Sequence, residues 1–217
     1  MLDNKKHIFC LINSSPHHKK AVFPLGLLYN ILNMSSKIQS ILDEIFLPVI
    51  EIAGPTPRGY RVMERLNLTL PITKVTNISK GVTVYTEDDV PHNYSIDEVI
   101  DVRDITLLSE SIGGVLCSYL PSFDYDSILS HREKAELMAK EYRNAITQVS
   151  LDPKNYICLH IKLLLEVARI LTPGGVFILQ GMNKDDVKLA KSLQLIPLLD
   201  ATTQADTESQ IYLKKNK

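Results

Sequence analysis

Residues 49–60 have the sequence VIEIAGPTPRGY, an apolar run that passes into a loop containing two prolines. Val49–Ile52 is short and almost entirely apolar, which is typical of a strand buried on both faces of a parallel sheet. Pro57–Leu66 is predicted to form a short helix, with Thr56 as its N-cap and Pro57 at the first helical position. A strand, a tight loop and a helix in this order form the place where many folds hold a nucleotide-like ligand.

Six more strand candidates follow along the chain, and most of them alternate with helical segments. They are Ile72–Ile78, Glu98–Val102, Gly114–Ser118, Val176–Leu179, Leu195–Leu199 and Gln210–Leu213. Strand–helix alternation predicts a parallel sheet with helices on both faces. The last two strands have no helix between them, so we expect one antiparallel strand, because a short link cannot make a parallel crossover.

Local signals mark where several elements begin and end. Ser130 and Glu133 form a capping box that predicts the start of a charged helix. A further helix is predicted to start at residues 152–153, Asp-Pro, and to stop at residues 173–175, Pro-Gly-Gly. Residues 82–93 combine alternating β-branched residues with turn residues, which indicates a local hairpin or excursion.

The chain has 217 residues, which suits one domain with an added segment. Residues 1–47 show helical periodicity without a strand and are predicted to form an N-terminal helical cap segment. Residues 48–217 contain the strand–helix pattern, with a helical insertion at about 122–150.

The composition excludes several classes of function. The formal net charge is −1, with acids and bases mixed along the chain, so neither a nucleic-acid surface nor a polybasic membrane patch is predicted. The apolar runs are too short or too interrupted to span a bilayer, and the first residues lack the layout of a secretory signal. Cys10, Cys117 and Cys158 lie far apart, which fits a reducing cytoplasm, and no metal site is predicted because cysteine and histidine never cluster at ligand spacing.

Four motifs occur in a characteristic order: EIAGPTP (51–57), VRDITLL (102–108), SIGGVLCSYLPSF (111–123) and HIKLLLEVARILTPGGVFIL (160–179). Together they resemble class I S-adenosylmethionine-dependent methyltransferases, within them the small-molecule branch. The last motif is similar to the ARxLKPGG stretch of many members, and the resemblance covers about residues 45–217. It implies a Rossmann-like three-layer α/β/α sandwich, with a mostly parallel seven-stranded sheet and one antiparallel strand near the C-terminus.

The resemblance also implies S-adenosyl-L-methionine as the cofactor and a small molecule as the methyl acceptor. In the family, the acid ending the first strand supports the amino group of the ligand, and a glycine-rich turn lets the backbone approach its methionine and ribose parts. Residues at the end of the second strand bind the ribose hydroxyls, and residues after the third strand contact the adenine. Residues after the fourth strand border the methionine moiety and the transfer site. The matching residues here are, in that order, Glu51; Ala53, Gly54, Thr56 and Gly59; Asn77; Asp104 and Ile105; and Ser118 and Tyr119.

Three positions depart from the family pattern. Pro55 and Pro57 replace two usual glycines, and a proline fixes φ at about −65° and has no N–H. Neither position can therefore adopt a positive φ or donate to a ligand carboxylate. Asn77 replaces an acid, and a neutral hydrogen bond to the ribose is weaker than a charge-assisted one. Two alternatives stay open: a loop rebuilt around a bound cofactor, or a loop that no longer binds one.

Three hypotheses follow for the function. The first is an active methyltransferase acting at oxygen, carbon or nitrogen of a small molecule, and the second is a methyltransferase-like binding or interaction protein without catalysis. The third, a nicotinamide-dependent oxidoreductase, is disfavoured because the first strand is not followed by G-x-G-x-x-G. No general base is identified, but in-line positioning of a sulfonium donor can supply much of the barrier reduction.

Structural roles remain open beside the functional ones. Glu51 at a strand end can pair with Arg58 or Arg61, and Asp104 can cap a turn. His160, near a helix start on a mostly apolar segment, is predicted to serve packing.

Overall fold

The computed structural model describes part of the chain: residues 36–53, 55–56, 59–70, 73–76, 84–85, 91–92, 98–102, 104–118, 120, 123, 129–198 and 209–214. The predicted cap segment 1–47 therefore lies mostly outside the described residues.

The described ranges contain both helices and strands, and several strands, including β4 to β8, follow one another without a described helix between them. The helices are α1 (36–43), α2 (Arg61–Leu66), α3 (His131–Ile146), α4 (Leu159–Ile170) and α5 (Lys184–Ser192), with a 3₁₀ turn at Pro153–Asn155. The strands are β1 (Val49–Ile52), β2 (Pro55–Thr56), β3 (Gly59–Tyr60), β4 (Thr73–Thr76), β5 (Val84–Tyr85), β6 (Pro91–His92), β7 (Glu98–Val99), β8 (Ile112–Cys117), β9 (Leu171–Gln180), β10 (Leu195–Pro197) and β11 (Ser209–Lys214).

The main sheet has the strand order β10-β11-β9-β8-β1-β4-β7. Strand β1 is an interior strand and is parallel to β4 on one side and to β8 on the other. The pairs β4–β7 and β8–β9 are also parallel, whereas β11 is antiparallel to both β9 and β10. The predicted mixed α/β class is confirmed. The chain crosses from one side of β1 to the other between β7 and β8, which makes the β1–β8 boundary the topological switch point.

One face of the sheet packs against α4 in the main hydrophobic core. Ile52, Cys117 and Leu179 alternate into this core from β1, β8 and β9, and Ile161 and Leu164 of α4 join it. All five side chains are almost completely excluded from water. Cys117 is fully buried among these apolar side chains and packs there as a small hydrophobe.

The opposite face of the sheet receives α1. A Cβ atom at Gly114 in β8 would lie 2.9 Å from Leu42 Cδ2 and 3.0 Å from Val49 Cγ1, so the bare glycine allows α1 to sit close to the strands. Ile38 and Leu42, one helical turn apart on α1, are both buried. The parallel strands are therefore covered on both faces, as their continuous apolar sequences require.

Helix α2 begins later than the sequence predicts. The expected start at Pro57, with Thr56 as the N-cap, is wrong, because β2 pairs antiparallel with β3 and draws this segment into a small hairpin. The helix starts at Arg61.

The predicted helix start at residues 152–153 is also wrong. That segment forms only the 3₁₀ turn, and α4 begins at Leu159. Its N-cap, Cys158, makes no side-chain capping bond, and Glu141 on α3 accepts the N–H groups of Ile157 and Cys158 instead, each at 2.8 Å. A carboxylate distant in sequence thus fixes where this helix begins.

The sequence Pro-Gly-Gly at residues 173–175 is not the predicted helix stop. Helix α4 already ends at Ile170, and β9 runs through this stretch with a shift in its register against β8. Gly174 has a φ of 79°, and a Cβ atom at Gly175 would lie 2.8 Å from the carbonyl oxygen of Gly113. The glycines serve a bulge and a close backbone approach rather than a turn.

Two local predictions are confirmed. The Ser130–Glu133 capping box opens α3, with the Ser130 N–H donating to Glu133 Oε2 at 2.8 Å and the Glu133 N–H donating to Ser130 Oγ at 3.4 Å. Within 82–93, β5 and β6 pair antiparallel as a hairpin.

Candidate functional site

A buried carboxyl group lies near the carboxyl end of β1. The two oxygens of Glu51 accept the N–H groups of Val62 at 2.8 Å and Met63 at 3.3 Å, in the first turn of α2. Glu51 is fully buried, and burial raises its pKa from 4.5 to about 7; the N–H groups of Val62, Met63 and Arg61 and the Arg61 charge lower it only in part. Glu51 therefore anchors the start of α2 and holds a carboxyl group that titrates near neutral pH.

The ends of β1 and β8 meet beside this carboxyl group. The Ser118 N–H donates to the carbonyl oxygen of Ile52 at 3.1 Å, which joins the two strand ends at the switch point. Ser118 is fully buried, and Arg61 Nη1 lies 3.5 Å from its Oγ. An acid, an exposed guanidinium group and a hydroxyl group thus come together at the edge of the sheet where α/β folds bind ligands.

The loop after β1 makes its sharp turn before the prolines. Ala53 has a φ of 54°, in the left-handed region that residues with a Cβ atom adopt at a cost of about 1 to 2 kcal/mol. Beyond it, Pro55–Thr56 pairs with Gly59–Tyr60 in the β2–β3 hairpin. Among the described residues of this loop, the positive φ that a glycine-rich loop usually provides is found at Ala53, which precedes both prolines.

The loop after β7 is fixed by a residue of α4. Arg169 donates from Nη2 to the carbonyl oxygen of Ile105 and from Nη1 to that of Leu107, each at 2.7 Å. Its guanidinium group also pairs with Glu166 at 2.6 Å. Asp104, next to this contact, is exposed, whereas Ile105 is buried. The motif at 160–179 contained Arg169, but the two carbonyl groups that it binds lie more than sixty residues earlier in the chain.

The structure divides the predicted site residues into four groups. Glu51, Ala53 and Ser118 lie at the adjoining ends of β1 and β8, and Thr56 and Gly59 lie in the β2–β3 hairpin. Asp104 and Ile105 follow β7, which β4 separates from β1. Gly54, Asn77 and Tyr119 lie outside the described residues.

Sequence reasoning missed a buried polar network formed by Tyr142, His160 and Asp186. Tyr142 donates its hydroxyl to Asp186 Oδ1, and His160 Nδ1 lies 3.0 Å from Asp186 Oδ2. The other ring nitrogen, His160 Nε2, lies 3.1 Å from the carbonyl oxygen of Leu120, two residues beyond Ser118. Asp186 is visible in the sequence only as part of a capping box with Asn183, and nothing local indicates its pairing with His160.

Neither a metal-binding cluster nor a membrane-spanning helix is found in the described part of the chain. Among these residues, no group of three or more histidine, cysteine, aspartate or glutamate side chains has the arrangement to hold a metal ion. No helix within the described ranges is long and apolar enough to cross a membrane.

No protein-family model matches the sequence, and no curated protein matches it. Similar solved structures include a geranyl diphosphate methyltransferase in complex with GPP and sinefungin, with 10% identity and a TM-score of 0.41 over 84% of this chain and 78% of that one. A protein from Pyrococcus horikoshii OT3 has 11% identity and a TM-score of 0.45 over 88% and 92%. Geranyl diphosphate C-methyltransferase from Streptomyces coelicolor A3(2), in complex with S-adenosyl-L-homocysteine, has 11% identity and a TM-score of 0.40 over 94% and 87%. The fold described above rests on strand order and pairing, independently of these likenesses.

Proposed function

We propose that this protein is a cytoplasmic S-adenosylmethionine-dependent methyltransferase acting on a small-molecule acceptor. The observation that carries the proposal is the meeting of Glu51, Arg61 and Ser118 at the switch point of the sheet. The parallel strands closed by antiparallel β11 are the architecture that the class I resemblance implies. The acid on β1 and the segment after β8 then occupy the two sides of the proposed methionine site.

The charges at this edge match an amino-acid zwitterion. The Glu51 carboxyl group suits an ammonium group, directly or through water, and binding of that cation would favour its ionised form. The Arg61 guanidinium group is exposed beside Ser118 and suits a carboxylate. S-adenosylmethionine presents both groups at its methionine end. Arg61 thereby supplies the donor that Pro55 and Pro57 cannot supply.

The adenosine end is proposed to lie toward β4 and β7. Asp104 and the backbone of Ile105 would contact the adenine amino group, and Asn77 would contact the ribose hydroxyls. Arg169 holds the carbonyl groups of Ile105 and Leu107 in place, so this loop is fixed before any ligand arrives. Such pre-organisation lowers the entropy lost on binding.

The acceptor is proposed to bind beyond Ser118 and Tyr119. The helical insertion that contains α3 would cover it, since covering segments commonly select substrates. Methyl transfer from a sulfonium needs in-line placement above all, which a rigid strand end provides. No general base is assigned.

Calorimetric titration with S-adenosylhomocysteine and 5′-methylthioadenosine tests the placement. The second compound lacks the amino-acid end, so Arg61→Ala should weaken binding of the first about tenfold or more and leave the second almost unchanged. Asp104→Ala should weaken both. Absence of binding by the unmodified protein at millimolar concentrations would overturn the proposal.

Two controls separate charge effects from placement. Asp43→Asn removes an exposed carboxylate of α1 that bonds only within its own helix, to Gln39, in the contacts the structure describes. Arg132→Ala removes an exposed guanidinium of α3 that pairs with Glu136. Neither change should alter either affinity.

A binding or interaction protein without catalysis is the second candidate. It is favoured by one observation: both oxygens of Glu51 already accept N–H groups of α2, so the carboxyl group has a structural role without any ligand. Tight binding of S-adenosylhomocysteine without methyl transfer to any tested acceptor would favour this candidate, and methyl transfer would exclude it.

A further inference from the structure

His160, the second residue of α4, is buried with a hydrogen-bond acceptor at each ring nitrogen. Nδ1 faces the carboxylate of Asp186 at 3.0 Å, and Nε2 faces the carbonyl oxygen of Leu120 at 3.1 Å. A neutral imidazole carries one N–H and can donate to only one acceptor, whereas the imidazolium donates to both. The geometry on both sides of the ring therefore selects the charged form.

The groups around His160 support that form. Burial acts to lower the pKa of His160, but the hydrogen bond and charge of Asp186 and the Leu120 carbonyl group together raise it above its ordinary value. Asp186 is fully buried and also accepts the Tyr142 hydroxyl group and, at 2.8 Å, the N–H of Asn183.

Tyr142 of this network and two side chains that face it, Cys158 and Tyr212, are also titratable. Burial raises the pKa of Cys158 to about 11, and burial with the Asp186 charge raises the pKa of Tyr142 and of Tyr212, so all three remain neutral donors at physiological pH. Glu141 adds a further negative charge, with its oxygens bonded to the N–H groups at the start of α4.

We propose that His160 is a positioning residue whose imidazolium fixes the backbone after β8 to α5, and so sets the segment that borders the transfer site. One ring nitrogen holds Leu120 and the other holds Asp186, so the charged ring connects the carboxyl edge of the sheet to the helical layer. The link itself is a property of the fold, and only its effect on methyl transfer rests on the proposed function.

The link has a defined pH dependence. It is complete below the ordinary histidine pKa and is lost as pH rises through the raised pKa of the folded protein. When one proton leaves, the remaining N–H stays on Asp186, because a bond to a charged acceptor is stronger than one to a carbonyl oxygen. The Leu120 carbonyl group then faces a lone pair and is released.

Hydrogen exchange between pH 6 and pH 9, corrected for intrinsic rates, tests this in a peptide containing residues 117–123. The unmodified protein should show an increase in opening as pH rises. His160→Gln should exchange about tenfold faster in this peptide at pH 6, the effect of losing one bond to a charged group, and should show no pH step. Tyr142→Phe is the matched control: it removes the other side-chain bond to Asp186, does not touch the ring, and should retain the step.

Equal acceleration of this peptide in both variants, or no pH step in the unmodified protein, would overturn the proposal. If His160→Gln does not fold, ¹⁵N chemical shifts of the histidine ring in the unmodified protein decide instead: two protonated nitrogens at pH 7 support the proposal, and a neutral tautomer refutes it. These measurements need no cofactor. A pH step in a protein that binds no S-adenosylhomocysteine would therefore overturn the proposed function and leave the link established.

Discussion

Replacing Glu51 with glutamine removes a carboxyl group whose pKa burial raises from 4.5 to about 7. A raised carboxyl pKa means that the folded protein binds this proton more tightly than the unfolded chain does. The free energy of unfolding therefore falls as pH rises from about 4.5 and stops falling above about 7. Glutamine does not titrate, so the variant lacks this decrease.

The magnitude follows from the two pKa values. Their difference of about 2.5 corresponds, at about 1.4 kcal/mol per unit, to about 3.5 kcal/mol in total. About 2.5 kcal/mol of this lies between pH 5 and pH 8. Urea unfolding at both pH values should show the stability of Glu51→Gln rising by this amount relative to the unmodified protein. Glutamine also removes the acceptor of the Met63 N–H. The resulting loss of stability is the same at both pH values, so it cancels when the two are compared.

The matched control is Glu136→Gln, since Glu136 is an exposed carboxylate on α3 that pairs with Arg132. Its stability relative to the unmodified protein should change little with pH, because the pair is exposed to solvent. A relative change below about 0.5 kcal/mol in Glu51→Gln would refute the reasoning, since it would mean that Glu51 does not hold its proton in the folded state.

Three further substitutions test contacts that position the site. Gly175→Ala should lower the free energy of unfolding by about 1 to 3 kcal/mol, because its Cβ atom would lie 2.8 Å from the Gly113 carbonyl oxygen; an unchanged urea midpoint would contradict this close approach. Arg169→Lys should lower the free energy of unfolding by about 1 to 3 kcal/mol, since an ammonium group cannot reproduce the guanidinium fork that binds two carbonyl groups and a carboxylate. An equal loss in the exposed Arg132→Lys would contradict this explanation. Glu141→Gln should lower the free energy of unfolding by about 1 kcal/mol and speed hydrogen exchange of the Ile157 and Cys158 N–H groups just before α4, and undiminished protection there would show that these groups are satisfied in another way.

Signals that act within a few residues could be taken from the sequence. The Ser130–Glu133 capping box was recognisable because both partners lie within one turn. The apolar strands and their alternation with helices fixed the α/β class, since buried parallel strands need apolar residues on both faces. The order of motifs also indicated that Glu51 ends the first strand and that Ser118 lies at the end of the fourth.

Helix starts were predicted poorly where a distant side chain supplies the cap. Thr56 and residues 152–153 are good local caps, yet α2 begins where Glu51 accepts N–H groups of its first turn, and α4 begins just after the two N–H groups that Glu141 accepts. A local pattern contains no information on a carboxylate that arrives from another element. The same holds for Pro-Gly-Gly at 173–175, which the neighbouring strand β8 draws into β9.

The sequence by itself determined the class of the fold, the order of its elements and the acid on β1, because hydrophobic period and strand–loop chemistry are local properties of the chain. Only the tertiary structure decided which groups meet. It brought Arg61 to Ser118, Arg169 to Ile105, and His160 to both Leu120 and Asp186. These pairs depend on sheet register and helix packing. Burial raises the pKa of Glu51, whereas the pKa of His160 is raised by Asp186 and the Leu120 carbonyl group against the effect of burial.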